Sequence, residues 1–333
     1  TWLIGVERTG MNALRVGIIG SGGMARAHAN VLENTADARV VAVASRNAET
    51  GQSLADDHGA TFYPNSRDAM RRDDIDGVII CTHNDSHGEI AQDALTHGKH
   101  VLTEYPLARS IQEGEDTLSL AASEGLVLRV THSEVTSAGH LALREAVANS
   151  GDLMLYAFHR LTPGRGARPE ILLNLPVSGP PAHFFIYHIY AAVDLFGPAE
   201  WVEASAQYEG LREGGRYDCF VNTMTVGFAR GGLGTWSWAG GVATENADQH
   251  ERIVLTDATL TREGGRWLRS TGDGTEDIAT VDADLPSKHD LWVREALSGD
   301  NDQALVDGRV ALDAIRVSLS AERAMNEGRR IEV

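Results

Sequence analysis

Short apolar runs, set apart by turn residues and amphipathic stretches, fill the first part of the chain. Arg15-Val16-Gly17-Ile18-Ile19-Gly20 reads as a buried strand, Ser21 to Met24 as a glycine-rich turn, and Ala25 to Leu32 as a helix. Arg39 to Ala44 is a second, valine-rich strand, and Glu49 to His58 is a helix ended by Gly59. Gly77 to Cys81 is another apolar run. The helix His87 to His97 then places Ile90, Ala91, Ala94 and Leu95 on one face and stops at Gly98. His100 to Thr103 and Leu126 to Val130 read as strands on either side of a helix, Ile111 to Glu124, stopped by Gly125. Strand and helix alternate over about 120 residues, which predicts a parallel, doubly wound sheet with helices on both faces.

The pattern changes after Gly151. Val221 to Phe228 alternates, with Met224, Val226 and Phe228 on one side. Arg230-Gly231-Gly232 is a turn, and Thr235 to Trp238 alternates again, so a β-hairpin is predicted. Arg252 to Leu255 and Trp267-Leu268 are further short strands. With no helices between them, a mostly antiparallel open sheet follows. Two helices close the chain, Asp290 to Leu297 and a long one from Val306 to Asn326.

The chain has 333 residues. At roughly 100–200 residues per domain this is room for two. We set them at 11–130 and 131–333, with the final helix able to pack back on the first domain and residues 1–10 an upstream extension. Thr1 to Gly10 lacks the basic head and long apolar stretch of a signal peptide. The net charge of −18 argues against nucleic acid and anionic membranes as partners. No apolar run approaches the roughly 18–20 residues of a membrane span. Two cysteines, Cys81 and Cys219, make neither a disulfide framework nor a zinc site and suit a reducing cytoplasm.

Gly20-Ser21-Gly22-Gly23-Met24-Ala25 fits G-x-G-x-x-A. The first glycine permits the tight turn, the second lets backbone approach a pyrophosphate, and the small last residue lets helix and strand pack closely. Alone this also describes an ordinary glycine-rich turn. After a strand, before a helix and at the head of a βαβ unit, it marks a Rossmann dinucleotide site. An NAD site usually carries an acidic residue at the end of the second strand. Here Ser45-Arg46-Asn47 stands instead. A hydroxyl and a guanidinium suit a 2′-phosphate, so NADP(H) is expected over NAD(H). The plainer reading of Arg46 is a solvated surface charge.

Residues Thr82 to Pro106 read T-H-N-D-S-H-G-E-I-A-Q-D-A-L-T-H-G-K-H-V-L-T-E-Y-P. This resembles the signature of the glucose–fructose oxidoreductase / inositol dehydrogenase family: T-x-N-x-x-H, A-x-x-A-L-x-x-G-K-H-V and then E-K-P. The likeness covers the Rossmann half and the C-terminal helix and is loose between about Gly151 and Asp290. It implies a Rossmann domain followed by an α+β substrate domain, in an NADP(H)-dependent oxidoreductase acting on a small cyclic substrate such as a sugar, ketosugar or cyclitol. It implies that Gly20, Gly22, Gly23, Met24, Ser45, Arg46, Thr82, Asn84, His87 and Glu104 hold the cofactor. It places Glu104 and Pro106 where nicotinamide meets substrate. It implies a homo-oligomer, dimer or tetramer, through the C-terminal sheet.

Two motifs depart from that pattern. Tyr105 replaces the family's catalytic lysine, and the D-x-G-x-H-x-x-D pattern has only His188 in place, with Phe184 and Ala191 where aspartates are expected. E-Y-P also resembles the element of biliverdin reductases. A tyrosine, with a reference pKa of about 10, holds its proton at neutral pH. Tyr105 is therefore expected to donate one in a reduction, the alternative being a packing tyrosine. His188 is expected to polarise a substrate oxygen, the alternative being a core histidine. Asp194 could orient a histidine or be a helix-end surface carboxylate.

Other constellations carry less. His183 and His188, five apart, would lie about 140° apart on one helix, so no metal site is expected. His83, Asp85, Ser86 and His87 are too close in sequence for a triad. Trp236 and Trp238 are expected to pack within a sheet. Arg160, Arg165 and Arg168, on an expected loop, could meet an acidic substrate but read more simply as surface charge. Two other functions stay open: reduction of a conjugated molecule such as a tetrapyrrole, and a non-catalytic regulator that senses NADP(H).

Overall fold

The computed structural model describes residues 13–163, 169–280 and 285–333. The extension assigned to residues 1–10, and the candidate anion ligands Arg165 and Arg168, lie outside the described residues.

The first sheet is built from β1 (Leu14–Ile19), β2 (Ala38–Ala44), β3 (Thr61–Tyr63), β4 (Gly77–Ile80), β5 (His100–Thr103) and β6 (Leu128–Val130). All neighbours are parallel, in the order β3-β2-β1-β4-β5-β6. Helices α1 (Gly23–Glu33), α2 (Ala48–Asp57), α3 (Ser66–Met70), α4 (His87–Thr96) and α5 (Ile111–Glu124) connect them. The central strands are apolar because both faces are covered: every residue of β4 is buried, and so are Val16, Ile18 and Ile19 of β1. Local chemistry sets the helix ends. Asn47 and Ser110 cap α2 and α5, and Gly125 closes α5 in the left-handed region with φ 64°.

The second half runs α6 (Ala138–Ala148), β7 (Leu153–Pro163), α7 (Pro169–Leu172), α8 (Leu175–Ser178), α9 (Pro181–Phe184), α10 (Ile186–Phe196), β8 (Ala199–Glu209), β9 (Cys219–Phe228), β10 (Leu233–Val242), β11 (Asp248–Leu255), β12 (Thr259–Glu263), β13 (Arg266–Thr271), β14 (Gly274–Asp277), α11 (Lys288–Ser298), α12 (Asp302–Glu327) and β15 (Ile331–Glu332). Its nine-stranded sheet has the order β14-β13-β12-β11-β7-β10-β9-β8-β15. Only β7 and β10 pair in parallel, so the sheet is mostly antiparallel, as expected. The β9–β10 hairpin sets Met224 opposite Trp236 and Val226 opposite Gly234. Met224, Val226, Phe228, Trp236 and Trp238 all face the core beneath α10.

Two expectations change. His183 and His188 do not share a helix, because the chain breaks at Phe185 between α9 and α10. Arg160 sits on strand β7 rather than a loop and donates from Nη1 to Gln249 Oε1 at 2.8 Å. Both closing helices return to the Rossmann sheet. Trp292 and Val293 of α11 pack with Leu14, Val16 and Ile18 of β1. Arg129 on β6, 1% exposed, forms ion pairs with Glu295 of α11 and Asp307 of α12. No described helix is long and apolar enough to cross a membrane.

Candidate active site

The carboxyl ends of the parallel strands open into a cleft of about 1940 Å³ shared with α10 and the loop after β6. Ligands of doubly wound sheets bind at this edge. The Gly20–Met24 turn forms one wall. Gly20 has φ 117°, and a Cβ there would lie 2.5 Å from the Cys81 carbonyl oxygen, so the turn admits only glycine. A Cβ on Gly22 or Gly23 would meet nothing within 4 Å. Gly22 is the N-cap of α1 and no side chain caps that helix, so its first amides stay available to an anion. The open backbone, the uncapped helix and the tight turn fit a dinucleotide pyrophosphate.

Ser45 and Arg46 line the same cleft beyond β2. Ser45 Oγ lies 2.7 Å from Ser21 Oγ, which lies 2.6 Å from Thr50 Oγ1, so three hydroxyls close the loop. Arg46 is exposed and has no ion pair among the described residues. After β4, Thr82 and Asn84 line the cleft. His87 is buried, with Nδ1 2.8 Å from Pro106 O and Nε2 3.2 Å from Thr82 O. Burial lowers its pKa, so the ring is neutral and donates one hydrogen bond, the shorter one, to Pro106. His87 thus braces the Tyr105–Pro106 segment, whose peptide bond is cis.

At the reacting end, Tyr105 stacks on His132 with centroids 5.3 Å apart and meets Tyr187 of α10 at 5.4 Å. Burial, with the charge of Glu104, pushes the Tyr105 hydroxyl above the usual tyrosine range, so it stays protonated at neutral pH. His132 stacks in turn on Tyr190 at 3.9 Å. Burial, then Lys288, takes His132 down to about 3. Thr131 Oγ1 and His132 Nδ1 are buried at the cleft wall without a hydrogen-bond partner among the described residues. Unpaired buried polar atoms are costly, and a ligand here would satisfy them.

His188 is not brought to this cleft. Its Nδ1 accepts from Trp238 Nε1–H at 3.2 Å, and Phe158 and Tyr187 pack on the ring at 4.3 and 4.1 Å. Burial drives its pKa well down. His183 sits apart, 3.2 Å from Ser318 Oγ. Among the described residues no group of three or more His, Cys, Asp or Glu could hold a metal. Asp194 does orient a histidine, but it is His140, at 2.7 Å, with Arg144 at 2.6 Å.

Sequence reasoning missed His28, His289, Thr131 and His132. Glu104, 9% exposed, has Oε1 2.7 Å from His28 Nε2, and His28 Nδ1 lies 2.7 Å from His289 Nε2. All three line the cleft. His28 and His289 are 261 residues apart, so no local signal could have paired them.

With this geometry described, comparison with known proteins adds the lineage. Residues 14–132 match the model of an oxidoreductase family with an NAD-binding Rossmann fold. The 4-carboxy-2-hydroxymuconate-6-semialdehyde dehydrogenase of Sphingobium sp. is 28% identical over 190 residues, 55% of this chain and 58% of that protein. The 1,5-anhydro-D-fructose reductase of Ensifer adhaerens is 33% identical over 135 residues, 40% of each chain. The matches thus span about half the length of these relatives. Biliverdin reductase from Synechocystis sp. PCC 6803, solved with biliverdin and NADP+, superposes with a TM-score of 0.80 at 23% identity, covering 94% of this chain and 99% of that one. This last likeness is one of fold.

Proposed function

We propose that this chain is an NADP(H)-dependent oxidoreductase that moves a hydride between nicotinamide C4 and a small cyclic substrate, a sugar, ketosugar or cyclitol, and works as a reductase. The observation that carries the reading is Tyr105, held protonated at the junction of the two domains, on the same cleft as the glycine turn. A bound dihydronicotinamide supplies the hydride. The chain's own residues do the rest. Gly20, Gly22, Gly23, Met24, Thr82 and Asn84 bind the dinucleotide, and Ser45 and Arg46 take its 2′-phosphate. Tyr105 donates a hydrogen bond from its protonated hydroxyl to the acceptor atom, a role with no need of the missing lysine. His188 shapes the aromatic wall from behind.

The relatedness to a reductase of anhydrofructose supports both substrate class and direction. A second reading, reduction of a flat conjugated molecule, is favoured by the Tyr105–His132–Tyr190 stack. The open face of the nine-stranded sheet is the proposed dimer or tetramer interface, and the cytoplasm the proposed location.

NADPH consumption against a panel of carbonyl sugars, including 1,5-anhydro-D-fructose, and biliverdin separates the readings. Turnover of a sugar supports the first and turnover of biliverdin the second. Tight NADP(H) binding with no turnover at all would point instead to a non-catalytic regulator.

A further inference from the structure

Glu104 is a buried carboxylate at the end of β5, next to the tyrosine that touches the second domain. Such a group needs hydrogen bonds, and among the described residues its side-chain partner is His28. His28 lies on α1, turned toward β5. Its other nitrogen meets His289, in the first turn of α11. The rings are tilted by 49° with centroids 4.9 Å apart, so they join edge to edge through nitrogen atoms rather than stacking. His289 is half-buried and reaches the wall of the open cleft.

One assignment of protons satisfies both contacts with neutral rings. His289 Nε2–H donates to His28 Nδ1, and His28 Nε2–H donates to Glu104 Oε1. His28 then accepts on Nδ1 and donates from Nε2. Burial and the neighbouring His28 hold His289 down to about 4, against the opposing charges of Asp290 and Glu104. The positive end of α11 acts in the same sense. A neutral His289 is what the assignment requires.

We infer that His289 and His28 form a two-membered proton wire from solvent to Glu104, and that Glu104 supplies the net proton of the reduction. The inference rests on the oxidoreductase reading above. When a carbonyl is reduced, the hydride brings the electron pair to carbon, and the oxygen needs one proton. From this assignment the wire first loads Glu104: the carboxylate takes the proton of His28 Nε2, His28 Nδ1 takes that of His289 Nε2, and His289 Nδ1 takes one from solvent. The Glu104 O–H bond then breaks as the substrate O–H bond forms. Tyr105 can then hydrogen-bond the same oxygen without ending as a buried tyrosinate. His28 and His289 are positioning and relay residues, since they act through Glu104.

Two measurements on the full chain test this. The first needs no cofactor and no substrate: the histidine titrations are followed by NMR on labelled protein. Glu104→Gln is expected to lower the titration of His289 by about half a unit or more. A His289 titration that ignores the change at Glu104 overturns the wire. The second uses NADPH with the panel substrate that the wild-type protein reduces. His289→Gln keeps a donor toward His28 but cannot pass a proton. It is expected to lower kcat about tenfold or more, raise the solvent deuterium isotope effect, and leave KM and NADPH affinity within about twofold. Added imidazole is expected to restore His289→Gly. Wild-type kcat in His289→Gln, or no rescue by imidazole, refutes the relay. If the wild-type protein reduces nothing, it is the functional reading that fails, and the titration alone decides the wire.

Discussion

Arg46 has no competing ion pair among the described residues and lines the cleft, so its removal should act on one part of the cofactor only. A charge-assisted hydrogen bond to phosphate contributes about 1.5–3 kcal/mol. Arg46→Ala should therefore weaken NADP(H) binding about tenfold or more and leave NAD(H) unchanged, as read by fluorescence titration. A wild-type protein that prefers NAD(H) would remove the role given to Arg46. Tyr105→Phe keeps the stack on His132 but deletes the hydroxyl. It should cut kcat by about 10²-fold at unchanged cofactor affinity, and an unaltered rate would make Tyr105 a packing residue. Gly20→Ala would force φ 117° on an alanine and set its Cβ against the Cys81 carbonyl. A cost of about 1–3 kcal/mol is expected from the backbone alone, read as a lower urea midpoint. These positions were legible in the sequence because each role depends on neighbours within one turn. His28, His289 and Thr131 carry no such signal, since what matters about them is a partner from another element.

Among elements, the pair α6 and α10 shows how a helix-end carboxylate becomes structural. Burial would raise the pKa of Asp194, but hydrogen bonds from His140 and Arg144 overcome this and lower it. A depressed carboxylate contributes stability above its unfolded value, near 4, and loses it as pH falls through the folded value. Arg144 is half exposed, so screening limits the contribution to about 1 kcal/mol. Asp194→Asn should lower the urea midpoint at pH 7 by that order and flatten the fall in stability below pH 4. A mutant curve parallel to wild type would deny the linkage. Helices closed by Gly125 or capped by Ser110 were read almost to the residue, because caps are local. The edge strand β3, three residues long, has too little length for a period. Strands β7 and β8, eleven residues each, were missed. In β8 small and polar residues occupy the alternating positions, and pairing with β9, not apolar content, makes it a strand.

At the scale of the whole molecule, the C-terminal helices pack on the Rossmann sheet. Trp292 is fully buried against Gly77, whose missing side chain makes room for its ring, and it shares a core with β1. Trp292→Ala should cost about 3–5 kcal/mol, seen as a large drop in the urea midpoint. A fragment ending at residue 132 should fold poorly, since it also leaves Arg129 buried without Glu295 and Asp307. A cooperatively unfolding fragment of that length would contradict this. What the sequence alone determined was the alternation of strand and helix, the glycine turn, the basic residue after β2 and the change to an antiparallel sheet. Each of these is written in residues within one turn or one strand of each other. The tertiary structure alone decided that His188 stands in an aromatic core while His132 faces the cleft, that α11 seals the Rossmann sheet, and that His289 meets His28 and Glu104. Those contacts join side chains from distant segments, and only the packing of whole elements brings them within hydrogen-bonding distance.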